Sequence, residues 1–194
     1  MARPREFDQE VALQKAAELF WEKGYERTSI ANLVEQTNVH RGSLYDTFGD
    51  KNQLFLACLD WFRLNKYDSV FGILAAPGNP KEILKLFFER TIDWAMEDNN
   101  GQRGCFMANT AMDLGASDPN VASRIEAFNL DVEKSFYHLL ERAQNEGQIN
   151  SSLTLRELAR FLAGTRLGLY AIAKTTTNRK ALEDICKVAL SFLD

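Results

Sequence analysis

Two stretches of this sequence hold residues whose types and spacing can do chemistry. The first is His40-Arg41-Gly42-Ser43-Leu44-Tyr45-Asp46-Thr47-Phe48, with Lys51 shortly after. On a helix, Leu44 and Phe48 lie four apart and point inward with Leu33 and Val39. His40, Arg41, Ser43, Tyr45 and Thr47 then take the outer face. An arginine there can bind guanine bidentately or grip a phosphate. The hydroxyls of Ser43, Tyr45 and Thr47 can donate to phosphates or base edges. Gly42 would let the helix start approach a duplex closely, and Lys51 is placed for a phosphate. The second stretch is Arg103-Gly104-Cys105-Phe106-Met107-Ala108-Asn109. Gly104 is expected to start a helix with Cys105 in its first turn. A helix N-terminus and a neighbouring arginine both favour a thiolate and raise its reactivity toward oxidants and electrophiles; the alternative is a buried, inert cysteine. Cys58 and Cys186 fall in apolar helical patterns and read as inert core thiols.

The elements that must position these residues are helices. Leu13, Ala16, Ala17 and Phe20 repeat with helical spacing between Asp8, a suitable N-cap, and Gly24, a suitable stop. Thr28 or Ser29 can cap a short second helix carrying Ile30, Leu33 and Val34. Thr37 to His40 breaks the pattern before a third short helix that ends at Gly49. Asp50 and Gln53 suggest a cap for a long helix to about Ala75. Ala76-Pro77-Gly78-Asn79-Pro80 is a loop whose end caps the next helix, which carries Ile83, Phe87, Thr91 and Trp94. Further helices are expected from Gly104 to Leu114, from Asp118 to about Gly147, from the Thr154/Glu157 capping box to about Lys174, and, after a polar break over Thr175 to Asn178, on to Leu193. No stretch reads as a strand pair, and Asn100-Gly101 lies between helical patterns. The fold class is therefore all-α, with about nine helices. Three short helices precede longer ones, which suggests a helix-turn-helix domain over 1–50 and a helical bundle over 51–194.

Composition narrows the function. The chain has 194 residues, 45% of them hydrophobic and 26% charged, and a net charge of −4. That is an ordinary globular balance. No apolar run is long enough to span a bilayer and no signal peptide is apparent, so a cytoplasmic protein with no membrane partner is expected. Three separated cysteines and two histidines give neither a disulfide framework nor a metal set, and no metal or cofactor is expected. Phosphate-loop, dinucleotide and nucleophile-elbow motifs are missing. Residues 1–60 hold seven Lys/Arg against ten Asp/Glu, a balance of −3. Any nucleic-acid binding must therefore gather its positive residues on one face. Arg3, Arg5, Arg27, Arg41 and Lys51 could do so, with Arg3 and Arg5 on an arm directed to a minor groove or simply in a free tail.

Ala16-Ala17-Glu18-Leu19-Phe20, Gly24-Tyr25, Thr28-Ser29-Ile30-Ala31-Asn32-Leu33 and the run from Val39 to Lys51 carry a resemblance. Over residues 8–60 the sequence is similar to the TetR/AcrR family of bacterial repressors. The resemblance implies an all-helical homodimer with an N-terminal DNA-binding domain and a C-terminal ligand-binding and dimerisation domain. Carried over by position, it implies that Thr28, Arg41, Gly42, Ser43, Tyr45, Thr47 and Lys51 touch double-stranded DNA, with Tyr45 and Lys51 mostly on phosphates. The Gly104-Cys105 segment further resembles a broad branch of these repressors, the NemR-like branch, which includes a sensor of reactive electrophiles. In that sensor a cysteine at this point is paired with a lysine of the penultimate helix, here Lys174.

The C-terminal part is rich in aromatic residues. Most must be core, and a subset including Trp94, Phe106 and Tyr170 could line a site for a small, mainly apolar effector. Gly164 and Gly168, four apart after Ala163, permit close helix approach. Leu162, Leu169, Ile185, Val188, Ala189 and Phe192 supply apolar area for a two-fold dimer. The reading is a homodimeric repressor on a near-palindromic operator. A small-molecule effector, or oxidation or alkylation of Cys105, would release it by swinging the helix that follows Asp50. The rival readings are a small thiol-dependent enzyme with Cys105 as nucleophile, which needs a general base within reach and has only His138 as a histidine in the C-terminal part, and a helical adaptor that binds protein alone.

Overall fold

The computed structural model describes residues 7–97 and 103–193. Arg3, Arg5 and the Asn100-Gly101 pair lie outside the described residues. These include nine α-helices and no strand: α1 Gln9–Lys23, α2 Ile30–Thr37, α3 Arg41–Phe48, α4 Lys51–Phe71, α5 Pro80–Met96, α6 Phe106–Leu114, α7 Pro119–Asn145, α8 Leu155–Ala173 and α9 Arg179–Ala189. Short 3-10 turns follow α4 at Gly72–Ala75 and α9 at Ser191–Leu193. The all-α expectation holds.

Local chemistry sets the helix boundaries. The Asp8 carboxylate accepts from the N–H groups of Glu10 and Val11 and opens α1. Ser29, not Thr28, caps α2: its Oγ accepts from Asn32 N at 3.1 Å, and Asn32 Oδ1 accepts from Ser29 N at 3.1 Å. Removing this reciprocal cap in Ser29→Ala is expected to cost about 1 kcal/mol, read as a lower urea midpoint. Asn38 ends α2 at φ 58°, a left-handed conformation that asparagine tolerates better than most residues. The tight turn into α3 depends on it. Asn79 caps α5 with Pro80 in the first turn, and Thr154 with Glu157 forms the expected box before α8. The fourth helix ends at Phe71, four residues earlier than the periodicity suggests, because the chain tightens into the 3-10 turn. Gly104 and Cys105 precede α6 and do not lie within it. Gly104 sits at φ 61° and Phe106 is the first helical residue.

The chain forms two compact units whose make-up differs from a division at residue 50. One comprises the chain up to Tyr67 together with Asn109–Ile125; the other comprises Asp68–Ala108 and the chain from Glu126 onward. In the first unit, Phe20 meets Phe55 edge-on at 4.9 Å, Tyr25 packs on Phe55 at 4.9 Å, and Trp21 meets Phe62 at 5.5 Å. Leu33, Val39 and Leu44 close the space between α2 and α3. Asn52 Nδ2 donates to Asp118 Oδ2 at 3.0 Å and ties the start of α4 to the start of α7. The bond from Asn52, then those from the N–H groups of Val121 and Asn120, hold the Asp118 carboxyl below its ordinary value of 3.8. A depressed carboxyl stabilises the fold above its unfolded pKa and loses that contribution as pH falls through the folded one. Asp118→Ala is therefore expected to lower the urea midpoint at pH 7, with the gap to wild type narrowing below pH 4.

In the second unit, Phe87 sits among Phe71, Phe88 and Phe136 at centroid distances of 5.8, 5.4 and 5.2 Å. Arg142 of α7 donates to the carbonyls of Ala76 and Gly78, both at 2.9 Å, and holds the proline-glycine loop before α5.

Candidate nucleic-acid interface and interior site

The third helix is a short, half-bare element. Leu44 anchors it in the core and Phe48 is half-buried against Phe7. His40, Arg41, Gly42 and Thr47 are exposed, while Ser43 and Tyr45 are half-buried. His40 occupies the N-cap without a side-chain capping bond, so its imidazole is not used to open the helix. The Arg41 guanidinium lies over the Tyr45 ring, 5.1 Å from its centroid, and the two side chains form one stacked unit. At Gly42 an added Cβ would meet nothing within 4 Å. Lys51 sets its Nζ 4.2 Å over the Tyr25 ring, which fixes a cation at the start of α4. Arg27 spends its Nε on the Lys23 carbonyl at 2.7 Å. Asp46 is exposed on the same short helix, so the face is mixed in sign.

Thr28 does not fit the role its position implied. It is fully buried, and its hydroxyl donates to the Gly24 carbonyl at 2.7 Å. It locks the turn between α1 and α2 and offers nothing to DNA.

In the second unit Cys105 is buried. Arg166 of α8 places Nη1 3.9 Å from its Sγ. The resemblance implies Lys174 as the cation beside this thiol. Lys174 instead caps the end of α8 with its side chain exposed, and Arg166 stands against the sulfur. The Arg166 guanidinium also lies over the rings of Phe71 and Tyr170, at 5.0 and 5.4 Å. Trp94 meets Tyr170 edge-on at 5.3 Å, and Phe106 is buried. Burial pushes the Tyr170 hydroxyl up, with Arg166 acting in the opposite direction. Cys105 and Tyr170 thus lie beside Arg166, a residue that sequence reading missed, and Trp94 packs on Tyr170. The signal was present: α8 buries Leu158, Ala159, Leu162, Arg166, Leu169, Tyr170 and Ala173. That is one helical stripe with a charge in its middle.

Burial pushes the Cys186 thiol up to about 11 and raises the Cys58 thiol further. Both are buried, as their apolar settings implied. His138 is exposed on α7, 3.8 Å from Glu141, and does not share the buried setting of Cys105.

Among the dimer-face candidates, Leu162, Leu169 and Ala189 are buried within this chain and belong to its own core. Val188 is 71% exposed, and Phe161 and Ile172 of α8 are 54% and 39% exposed. Ile185 and Phe192 are half-buried. An added Cβ at Gly164 or Gly168 meets nothing within 4 Å.

A short helix that presents hydrogen-bonding side chains on a helix-turn-helix scaffold, joined in sequence to a separate helical unit, defines a DNA-binding regulator. Residues 12–58 match the family of bacterial regulatory proteins of the tetR type, and residues 80–189 match the tetracyclin repressor-like C-terminal domain. The chain belongs to the TetR family of DNA-binding transcriptional regulators. It is 37% identical, over all of both chains, to an uncharacterized HTH-type transcriptional regulator of Bacillus subtilis, YezE. It is 30% identical to the HTH-type transcriptional repressor ComR of Escherichia coli, covering 97% of this chain and 90% of that one. It also superposes, with TM-score 0.83 and 27% identity over all of both chains, on the TetR family regulator CifR. That structure is a cysteine mutant bound to a 26-bp double-strand operator.

Proposed function

We propose that this chain acts in the cytoplasm as a homodimeric repressor of genes controlled by a near-palindromic operator. Residues 1–50 form the DNA-binding domain, and residues 51–194 form the ligand-binding and dimerisation domain. The stacked Arg41–Tyr45 pair on an exposed α3 carries the reading. His40, Arg41, Ser43, Tyr45 and Thr47 read the operator, Gly42 lets the backbone come close, and Lys51 holds a phosphate. The acidic balance of the chain supports recognition of one site over general affinity for nucleic acid. The exposed apolar residues Phe161, Ile172 and Val188, with Ile185, Phe192 and the open backbone at Gly164 and Gly168, supply a two-fold interface from α8 and α9. Two recognition helices then meet successive major grooves about 34–36 Å apart.

Release follows a change in the interior around Cys105, Trp94, Phe106 and Tyr170, by a bound small molecule or by modification of the thiol. Only a difference in affinity between the DNA-competent and released conformers can drive it. The direct test is affinity for duplex DNA from upstream of the gene, against a scrambled duplex, over a range of salt. Tight, site-selective binding that falls with salt is expected. Equal affinity for both duplexes would overturn the reading. Operator affinity before and after a mild thiol oxidant then separates a thiol switch from noncovalent release.

A further inference from the structure

Arg166 is 2% exposed, and no carboxylate of the described residues lies within 4 Å of its guanidinium. Its Nε is buried without a hydrogen-bond partner. Around it stand the Cys105 sulfur, the face of Phe71, and the ring and hydroxyl of Tyr170. Ring faces offset part of a cation's desolvation, but aromatic rings and a phenol do not supply a matching negative charge. A guanidinium offers a rigid fork of donors matched to a carboxylate. An arginine buried on the core stripe of α8 with an orphaned donor has the features of a receptor for an anion.

We propose that Arg166 is the anchor of an effector site whose ligand is a small monocarboxylate with an aromatic or aliphatic body. The site rests on the reading of the second unit as the ligand-binding part. The carboxylate takes the Arg166 Nε–H, and the apolar body meets the aromatic side chains of Tyr170, Trp94 and Phe106. One buried cation balances one negative charge. A phosphate monoester carries about −1.5 to −2 at neutral pH and would leave charge uncompensated among those rings. This assigns the effector a charge that the apolar lining alone does not suggest.

The test is thermal unfolding of the full chain with benzoate, with hexanoate and with neutral benzamide. It is run on wild type, Arg166→Met and Cys105→Ser. Methionine fills similar volume without charge, so Arg166→Met is expected to stay folded, with an unfolding midpoint equal to or above wild type. In wild type and Cys105→Ser, at least one carboxylate is expected to raise the midpoint in a saturable way, by roughly 5–10 °C at a hundred times its Kd. Benzamide should not do so, and Arg166→Met should not respond. No shift with either carboxylate, an equal shift with benzamide, or an undiminished shift in Arg166→Met would overturn the proposal. So would a second pattern: no carboxylate response, together with alkylation of Cys105 by iodoacetamide slowed tenfold or more in Arg166→Met. That result would make the Cys105 thiolate the counter-ion. Operator affinity is measured separately. Carboxylate binding that leaves operator affinity unchanged would keep the site and overturn only its part in release.

Discussion

Val188→Asp is expected to convert the protein to a monomer and to abolish tight operator binding. Val188 is the most exposed apolar side chain of α9, on the face that also presents Ile185. In a two-fold interface each residue near the axis faces its own copy or a close neighbour, so one substitution introduces two carboxylates. Each loses water without gaining a cation, and the pair repels. A buried, uncompensated charge costs on the order of 3–5 kcal/mol, enough to raise the dimer Kd by a hundredfold or more. The consequence for DNA is larger than the consequence for assembly. A monomer engages one half-site, and specific binding is typically 10³–10⁷ tighter than nonspecific binding. Sedimentation velocity and operator titration of the same sample read both effects. Helicity by circular dichroism should be unchanged, because Val188 contributes little to the core of its own chain. A dimer of wild-type affinity in Val188→Asp would place the interface elsewhere.

How much of this was legible in the sequence differs between the two units. The helix-turn-helix was readable because its information is local. Caps at Asp8 and Ser29, the left-handed Asn38 and the inward Leu33, Val39 and Leu44 all lie within a few residues of the element they specify. Thr28 shows where positional analogy fails. A threonine beside a cap residue can turn its hydroxyl out to a phosphate or back to a carbonyl, and only the fold of the preceding turn decides; here it turns back to Gly24.

The interior site was half legible. Apolar periodicity placed Trp94, Phe106 and Tyr170 on inward faces, but periodicity treats any charge as a surface residue. Arg166 was passed over for that reason, although it lies four residues after Leu162 and three before Leu169 on the buried stripe. The approach of Arg166 to Cys105 is a tertiary fact with no local signature. The dimer face was blurred for a related reason. Leu162, Leu169 and Ala189 look as apolar as Phe161 and Val188, and only the burial of each separates core from free surface.

Arg41→Ala is expected to weaken operator binding by about 1–3 kcal/mol per half-site. A dimer carries two half-sites, so the loss is about 2–6 kcal/mol, or roughly tens to tens of thousands of fold. Two features support the proposed role of Arg41 on α3. It is exposed at the helix start, where the recognition helix of a helix-turn-helix meets base edges. Its guanidinium is also already stacked on Tyr45, so less side-chain freedom is lost on binding than for a free arginine. The second feature yields its own test. If the stacking pre-organises Arg41, Tyr45→Ala should cost more than the removal of one phosphate bond, and the double variant should cost less than the sum of the singles. The role of the guanidinium on the duplex can be separated as well. If Arg41 reads a base, Arg41→Ala relaxes discrimination at one operator position and leaves the salt slope nearly unchanged. If it holds a phosphate, the same substitution weakens all sequences alike and lowers the slope by about one per half-site. Wild-type affinity in both Arg41→Ala and Tyr45→Ala, with the dimer intact, would remove α3 as the reading helix.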